Sequence, residues 1–377
     1  MLRIVTGGES HGRNLIAIME GLPSNLKIDI DFINQELSRR QEGFGRGKRM
    51  EIEKDRAEIV SGVRGNITLG SPLSILIKNR DFSLEKQDLQ PLLSPRPGHA
   101  DLAGVMKYNF RDCRNVWERA SARCTASIVA CGAVAKILLY QFNMTILSHV
   151  ISIGRISVKP HRGLSYEELL LETEKSPLRV YQKNAERAMI EEIKKAEKKG
   201  DTLGGIFEVI ALGAPAGLGS YVEFDQRLDG RIARALMNIP SVKGVEIGLG
   251  FASSKLPGSK VHDEIFYDKS EKKFFHRTNR AGGIEGGMSN GEPIVVRAAM
   301  KPIPTLKTPL STINIETKKK TPAQSPRADI CSVPAGGIIG EGALALELSR
   351  SMREKFGGDS LEEMKRNYEG YIYQIRQ

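Results

Sequence analysis

Two of the chain's six histidines stand in short segments built to hold a side chain still. Gly7-Gly-Glu-Ser-His-Gly-Arg13 follows a short apolar run and sets His11 between glycines, with Ser10 and Arg13 beside it. A solvated histidine in a turn accounts for the pattern. So does a proton donor held beside an anion, which requires this kind of placement. Ser94-Pro-Arg-Pro-Gly-His-Ala-Asp101 restrains its backbone with two prolines and gathers Arg96, His99 and Asp101 within a few residues. A histidine next to a carboxylate has a controlled charge and tautomer.

Three further segments carry cations where an anion would sit. Ser38-Arg-Arg-Gln-Glu-Gly-Phe-Gly-Arg-Gly-Lys-Arg49 holds five cationic side chains and three glycines. Arg39 and Arg40 suit the last turn of a helix. Arg46, Lys48 and Arg49 lie in a glycine loop able to close over a ligand and exclude water. Arg119-Ala-Ser-Ala-Arg-Cys-Thr-Ala126 is expected to open a long helix, with Arg119 and Arg123 on one face. Two arginines there oppose the helix dipole, and Glu118 offsets one of them. A bound phosphate or carboxylate, met also by backbone N–H groups and the Ser121 hydroxyl, makes the arrangement favourable. In Ser325-Pro-Arg-Ala-Asp329, an extended backbone puts Arg327 and Asp329 on one side. That is either a surface ion pair or a carboxylate placed to move a proton.

Strands are expected at 2–6, 58–63, 73–77, 145–158, 206–212, 244–247, 264–267 and 294–300. Helices are expected at 32–40, 100–108, 120–142, 166–174, 185–199, 226–238 and 341–355, the first capped by Asp31. Alternation of the two along the whole length gives an α/β or α+β class. No low-complexity linker divides the 377 residues, so a single unit over 1–377 is expected. One echo recurs: Gly70-Ser-Pro-Leu-Ser-Ile-Leu-Ile-Lys78 and Gly291-Glu-Pro-Ile-Val-Val-Arg297 are both a Gly-x-Pro turn feeding an apolar strand. It is either chance or the mark of two similar halves.

Composition excludes several classes. No apolar run reaches a membrane span of about 18 residues, and residues 2–6 are too short for a secretory leader. The four cysteines lack metal-binding spacing and read as cytoplasmic thiols, so no metal site is expected. Lysine plus arginine exceed aspartate plus glutamate by 56 − 45 = 11. That surplus fits nucleic acid or a small polyanion. With one tryptophan and 6% aromatics, the interleaving of basic and stacking residues typical of single-strand binders is missing. Neither a Walker loop nor a dinucleotide fingerprint is present.

Taken in order, the segments resemble the chorismate synthase family. The likeness runs through Gly8-Glu-Ser-His-Gly12, Arg96-Pro-Gly-His-Ala-Asp101, Arg119-Ala-Ser-Ala-Arg123, residues 204–219, Val242-Lys-Gly-Val-Glu-Ile-Gly248, Ala281-Gly-Gly-Ile-Glu-Gly-Gly287, Lys301-Pro-Ile-Pro-Thr305 and Arg327-Ala-Asp329. The resemblance implies an α+β fold, a βαβα sandwich with an internal pseudo-two-fold repeat, assembled as a homotetramer. It implies a lyase that removes phosphate and a ring hydrogen from 5-enolpyruvylshikimate 3-phosphate by trans 1,4-elimination. Reduced FMN is required without net redox change.

By the same resemblance, His11 protonates the departing phosphate, His99 stabilises the reduced flavin and Asp329 assists proton transfer. Ser10, Arg40, Arg46, Arg49, Arg96, Arg123 and Arg327 hold the substrate's anionic groups. Arg40 and Arg46 also match positions associated with NADPH. Arg119, Ala120, Ser121, Pro240, Ser241, Gly286, Lys301, Pro302, Ile303, Pro304, Thr305 and Arg327 hold the flavin. Cys124, Ala328, Gly336, Gly340 and Gly342 depart from the residues usual in the family, and the glycines suggest that the last helix starts late. Two other readings stay open here: a basic nucleic-acid binder, and an enzyme that also reduces its own flavin with NADPH. The preferred reading has an external flavin reductase, a cytoplasmic location, and no nucleic-acid or membrane partner.

Overall fold

The computed structural model describes residues 1–47, 52–82, 84, 89–159, 163–325 and 329–376. The first half begins with the antiparallel pair β1 (Arg3–Gly7) and β2 (Asn14–Glu20). Helix α1 (Ile30–Gln41), then β3 (Ala57–Ser61) and β4 (Leu73–Lys78), complete an antiparallel sheet in the order β1-β2-β4-β3. Three helices follow: α2 (Asp101–Tyr108), α3 (Arg114–Ala120) and α4 (Thr125–Tyr140).

The second half repeats the plan. β5 (Thr145–Ile153), helices α5 (Tyr166–Glu174) and α6 (Lys183–Lys198), β6 (Gly205–Leu212), α7 (Leu228–Met237), β7 (Val242–Ile247) and β8 (Ile294–Met300) precede the long α8 (Val333–Phe356). Its sheet runs β5-β6-β8-β7, with Ile156–Ser157 at the β5 edge. Each half therefore takes its strands in the same order, first-second-fourth-third. The repeated Gly-x-Pro turn leads into β4 in one half and β8 in the other, which are equivalent strands. The fold is α+β with an internal pseudo-two-fold repeat.

The halves meet through α4 and α8, each packed on the inner face of its own half's sheet. Alternation along the strands turns Leu15, Ala17 and Met19 of β2, and Leu73, Ile75 and Ile77 of β4, inward. A Cβ at Gly132 of α4 would stand 2.3 Å from the Gly342 Cα of α8, so the two helices touch backbone to backbone. Arg114–Tyr140 has the length and apolarity of a membrane span, yet 78% of its most apolar window is buried in the fold. Within this stretch α4 is apolar all round because protein surrounds it. Helix α9 (Leu361–Ile375) closes the chain, its Tyr368 and Tyr371 against Phe356.

Several elements differ from the sequence reading. The helix expected at 120–142 is broken: α3 ends at Ala120, Ser121 is extended, and a short 3-10 turn leads into α4. Arg119 and Arg123 therefore do not share a helix face. The cap of α1 is Asp29, whose carboxylate accepts from the Asp31 and Phe32 N–H groups. Helix α8 starts early, at Val333, with Gly336, Gly340 and Gly342 inside it. They lie against Met300, Phe207 and the α4 backbone, where closeness outweighs helix propensity. The strand expected at 145–158 is split at Gly154, which has φ +55°. Strand β2 and helix α9 were not anticipated.

Candidate active site

The His11 loop joins β1 to β2. Gly8 has φ +99°, and a Cβ there would stand 2.3 Å from the Asn14 carbonyl oxygen, so the hairpin closes only on glycine. One carboxylate organises the loop. Glu118 of α3 accepts from the His11 backbone N–H through Oε2 at 2.7 Å, and its Oε1 lies 2.8 Å from His11 Nδ1. The Glu118 carbonyl takes the Ser10 N–H at 2.9 Å. Ser10 Oγ donates to Ser121 Oγ at 3.1 Å, and Arg119 reaches back to the carbonyls of Thr6 and Gly8. Glu118 is buried while the His11 side chain is 25% exposed. With Nδ1 on Glu118, Nε2 is the nitrogen offered outward.

The second histidine repeats this arrangement. His99 Nδ1 lies 2.6 Å from Asp101 Oδ1, and Asp101 also takes Arg96 Nε at 2.8 Å and the Arg96 N–H at 3.1 Å. Burial raises the Asp101 pKa, but hydrogen bonds from His99 and Arg96 outweigh it and hold the carboxyl well below the usual range. The Arg96 guanidinium sits 4.0 Å over the ring of Trp117 and reaches Thr305 Oγ1 at 3.4 Å. Lys301 Nζ donates to the Gly98 carbonyl, and its backbone N–H to that of Ser241 at 2.9 Å. Burial lowers the Lys301 pKa, and nearby Lys243 lowers it further.

Arg40 and Arg123 share a buried carboxylate. Asp55 takes Arg123 Nη1 at 2.6 and 2.7 Å and Arg40 Nη2 at 2.9 Å. Arg123 Nε binds Asn79 Oδ1 at 2.8 Å, and Asn79 in turn donates to the carbonyls of Glu9 and Gly12. Burial lowers the Arg40 pKa, Asp55 opposes that, and the Arg123 charge adds to it. Arg40 Nε is buried with no hydrogen-bond partner among the described residues. Farther along, Arg46 Nη1 pairs with Asp329 Oδ2 at 2.7 Å, and the Gly47 N–H donates to Asp329 Oδ1 at 2.6 Å.

Helix α3 joins these groups, since consecutive residues Trp117 and Glu118 support Arg96 and His11 respectively. Ser10, His11, Arg119 and Ser121 form one cluster; Arg96, His99, Lys301 and Thr305 a second; Arg40 and Arg123 a third; Arg46 and Asp329 a fourth. Ser241 lies beside Lys301 through their backbone bond, with Pro240 adjoining it. Ala120 ends α3. Ile303 accepts from Thr202 Oγ1 at 2.7 Å, between Pro302 and Pro304. Gly286 lies in the hairpin Ile284–Ser289, and no hydrogen bond joins it to these clusters among the described residues. Arg49 and Arg327 lie outside the described residues. The sequence reading set Glu118 against an arginine; it faces His11. It passed over Asp55, Asn79, Trp117 and Glu53, whose Oε2 lies 3.5 Å from Arg123 Nη2, although the acidic run Glu51-Ile-Glu-Lys-Asp55 beside a basic loop was a usable signal. No group of three metal-ligating side chains occurs among the described residues.

Two histidines braced on buried carboxylates amid arginines, His11 with its outer edge part-exposed and His99 with both ring nitrogens within 3.3 Å of Arg96 Nη2, mark an enzyme doing acid–base chemistry on a small anion. The chain belongs to the chorismate synthase family, whose model matches residues 2–352. It is 51% identical over 384 residues to the chorismate synthase of Carboxydothermus hydrogenoformans, covering 100% of this chain and 99% of that one. It is 50% identical over 381 residues to that of Alkaliphilus metalliredigens, with 98% and 99% covered. A crystal structure of chorismate synthase superposes with a TM-score of 0.83 at 43% identity, covering 100% and 98% of the two chains. The chain is therefore an enzyme of the lyase class.

Proposed function

We propose that this enzyme forms chorismate from 5-enolpyruvylshikimate 3-phosphate by trans 1,4-elimination of phosphate and a ring hydrogen, with reduced FMN bound. The observation that carries the reading is the pair of histidines His11 and His99, each tied through Nδ1 to a buried carboxylate, Glu118 of α3 and Asp101 at the start of α2.

His11 is the acid. A doubly protonated ring keeps one N–H on Glu118 and presents Nε2–H to a phosphate oxygen, which makes phosphate a better leaving group. Ser10, Arg46, Arg49, Arg96 and Arg327 clamp the substrate's phosphate and carboxylates, with the Arg40–Asp55–Arg123 unit behind them. Asp329, held by Arg46 and the Gly47 N–H, is the carboxylate that assists proton transfer.

The residues fit a flavin. Gly286, at φ +59°, has open space where a Cβ would stand, and Lys301, Thr305 and Ser121 offer donors to a ring and a phosphate. Arg119, Ala120, Ser121, Pro240, Ser241, Gly286, Lys301–Thr305 and Arg327 would hold it, with His99 beside it. When bound, reduced FMN supplies the electron density that lets a weakly acidic ring hydrogen leave. No dinucleotide fingerprint supports self-reduction, so we assign flavin reduction to a separate reductase, and we place the enzyme in the cytoplasm as a homotetramer. Pure protein, FMN and NADPH under anaerobic conditions test this. No NADPH oxidation is expected, while chemically reduced FMN supports turnover and oxidised FMN does not. Oxidation of NADPH by the protein would reassign Arg40 and Arg46 to a nucleotide, and turnover with oxidised FMN would remove the cofactor from the account.

A further inference from the structure

A second group of charges lies within the fold, one residue along from Arg40. Glu341 of α8 is fully buried where the two halves meet. Its Oε2 takes Arg39 Nη1 at 2.8 Å and Lys136 Nζ of α4. Its Oε1 takes Ser148 Oγ of β5 at 2.6 Å and lies 3.2 Å from Arg39 Nη2 and 3.5 Å from Arg179. Glu36 and Glu174 complete the network on the outer sides of Arg39, Lys136 and Arg179. Three cations face three carboxylates, so the cluster is neutral only with Glu341 ionised. Burial opposes that ionisation, but Arg39, Lys136 and Arg179 overcome it and hold the carboxyl well below its usual range.

The cluster ties the last turn of α1 to a point two turns inside α8, and both elements adjoin site residues. Helix α1 carries Arg40 in its last turn and leads within a few residues to Arg46. Helix α8 is entered from Asp329, Arg46's partner. Glu341 grips α1 at Arg39 from a point two turns inside α8, so one side chain sets the offset between the two. Backbone bonds from Ile330 and Cys331 to the Gly45 carbonyl continue the same seam toward the site. We propose that Glu341 is a positioning residue for substrate: its two-armed hold on Arg39 sets the register of α1 on α8, and with it the places of Arg40, Arg46 and Asp329. The proposal rests on the chorismate-forming reading above. The Glu341 charge stays compensated only while these elements keep their offset, because a buried charge left without its partner is strongly destabilising.

The test compares wild type, E341Q and the charge-balanced double variant E341Q/K136Q. Melting temperature, kcat and KM for 5-enolpyruvylshikimate 3-phosphate are measured with reduced FMN. E341Q leaves one buried cation in excess, and its melting temperature should fall. The double variant restores neutrality and should regain much of that loss. A positioning role predicts that both variants, assayed well below their melting temperatures, show KM raised about tenfold through Arg40 and Arg46, with a fall in kcat as Asp329 shifts with them. If the double variant regains wild-type KM, or E341Q never loses it, Glu341 serves stability alone and the proposal fails. Should E341Q not fold, the double variant decides alone on the same KM criterion. Wild type that binds FMN but makes no chorismate overturns the underlying reading instead, and the two failures are told apart by that control.

Discussion

Glu118 holds His11 twice, by Oε2 on the backbone N–H at 2.7 Å and by Oε1 beside Nδ1 at 2.8 Å, across 107 residues of sequence. The backbone bond sets the loop and the side-chain bond sets the ring, so neither is free to turn without the other. Placement of the acid is therefore a property of helix α3 as much as of the loop.

Replacing His11 with alanine should lower kcat by about 10²-fold or more, the usual contribution of a positioned general acid. Glu118→Gln, which keeps the shape and one hydrogen bond, should lose about tenfold. Steady-state kinetics checks both, with melting curves to confirm folding. Wild-type kcat in His11→Ala removes the acid assignment.

Asp55→Asn strips Arg40 and Arg123 of their shared counter-charge inside the protein. Breaking a buried pair in this way costs about 3–5 kcal/mol. Urea unfolding should show a loss in that range. A change below about 1 kcal/mol would mean that the two arginines find other partners.

The depressed pKa of Asp101 ties stability to pH. A carboxyl with a lowered folded pKa stabilises the protein above its unfolded pKa of about 3.9, and the gain disappears as pH falls through the folded value. The melting-temperature gap between wild type and Asp101→Asn should shrink as pH falls below about 4. A gap unchanged down to pH 3 contradicts the ion-paired state of Asp101.

Trp117 is the chain's one tryptophan, and it lies under the Arg96 guanidinium. An anion bound by Arg96 changes the charge above the ring, so emission should shift on adding substrate, saturably and with one site per chain. Arg96→Ala should abolish the response. An unchanged spectrum on saturating substrate places the anion elsewhere.

Gly132→Ala should destabilise by about 1–3 kcal/mol, the typical cost of overpacking, because its Cβ meets backbone of α8 rather than a side chain able to move. Thermal or urea unfolding measures this. Unaltered stability would show that the two core helices separate easily.

Much of this was legible in the chain. The apolar runs 73–77 and 294–300 predicted β4 and β8, and their shared Gly-x-Pro turn, which the sequence left open to chance, precedes strands in equivalent places of the two sheets. The His11 and His99 loops were recognisable because glycine and proline are local devices. What escaped is long-range. Asp55 meets Arg123 across 68 residues and Asp329 meets Arg46 across 283, and no spacing rule reports such pairs. The break at Ser121 escaped because the apolar run after it was extended back to Ala120 as one helix, although Ser121 is suited to capping. Helix α8 was expected to start late because its glycines are poor helix formers. Close packing against α4 and Phe207 overrides that cost.

The most direct measurement follows chorismate and phosphate together in one anaerobic time course, with 5-enolpyruvylshikimate 3-phosphate and chemically reduced FMN. Equal release of both, lost in the His11→Ala variant, is the result predicted here. Phosphate released without chorismate, or neither product with the flavin bound, would contradict the elimination assigned to this site.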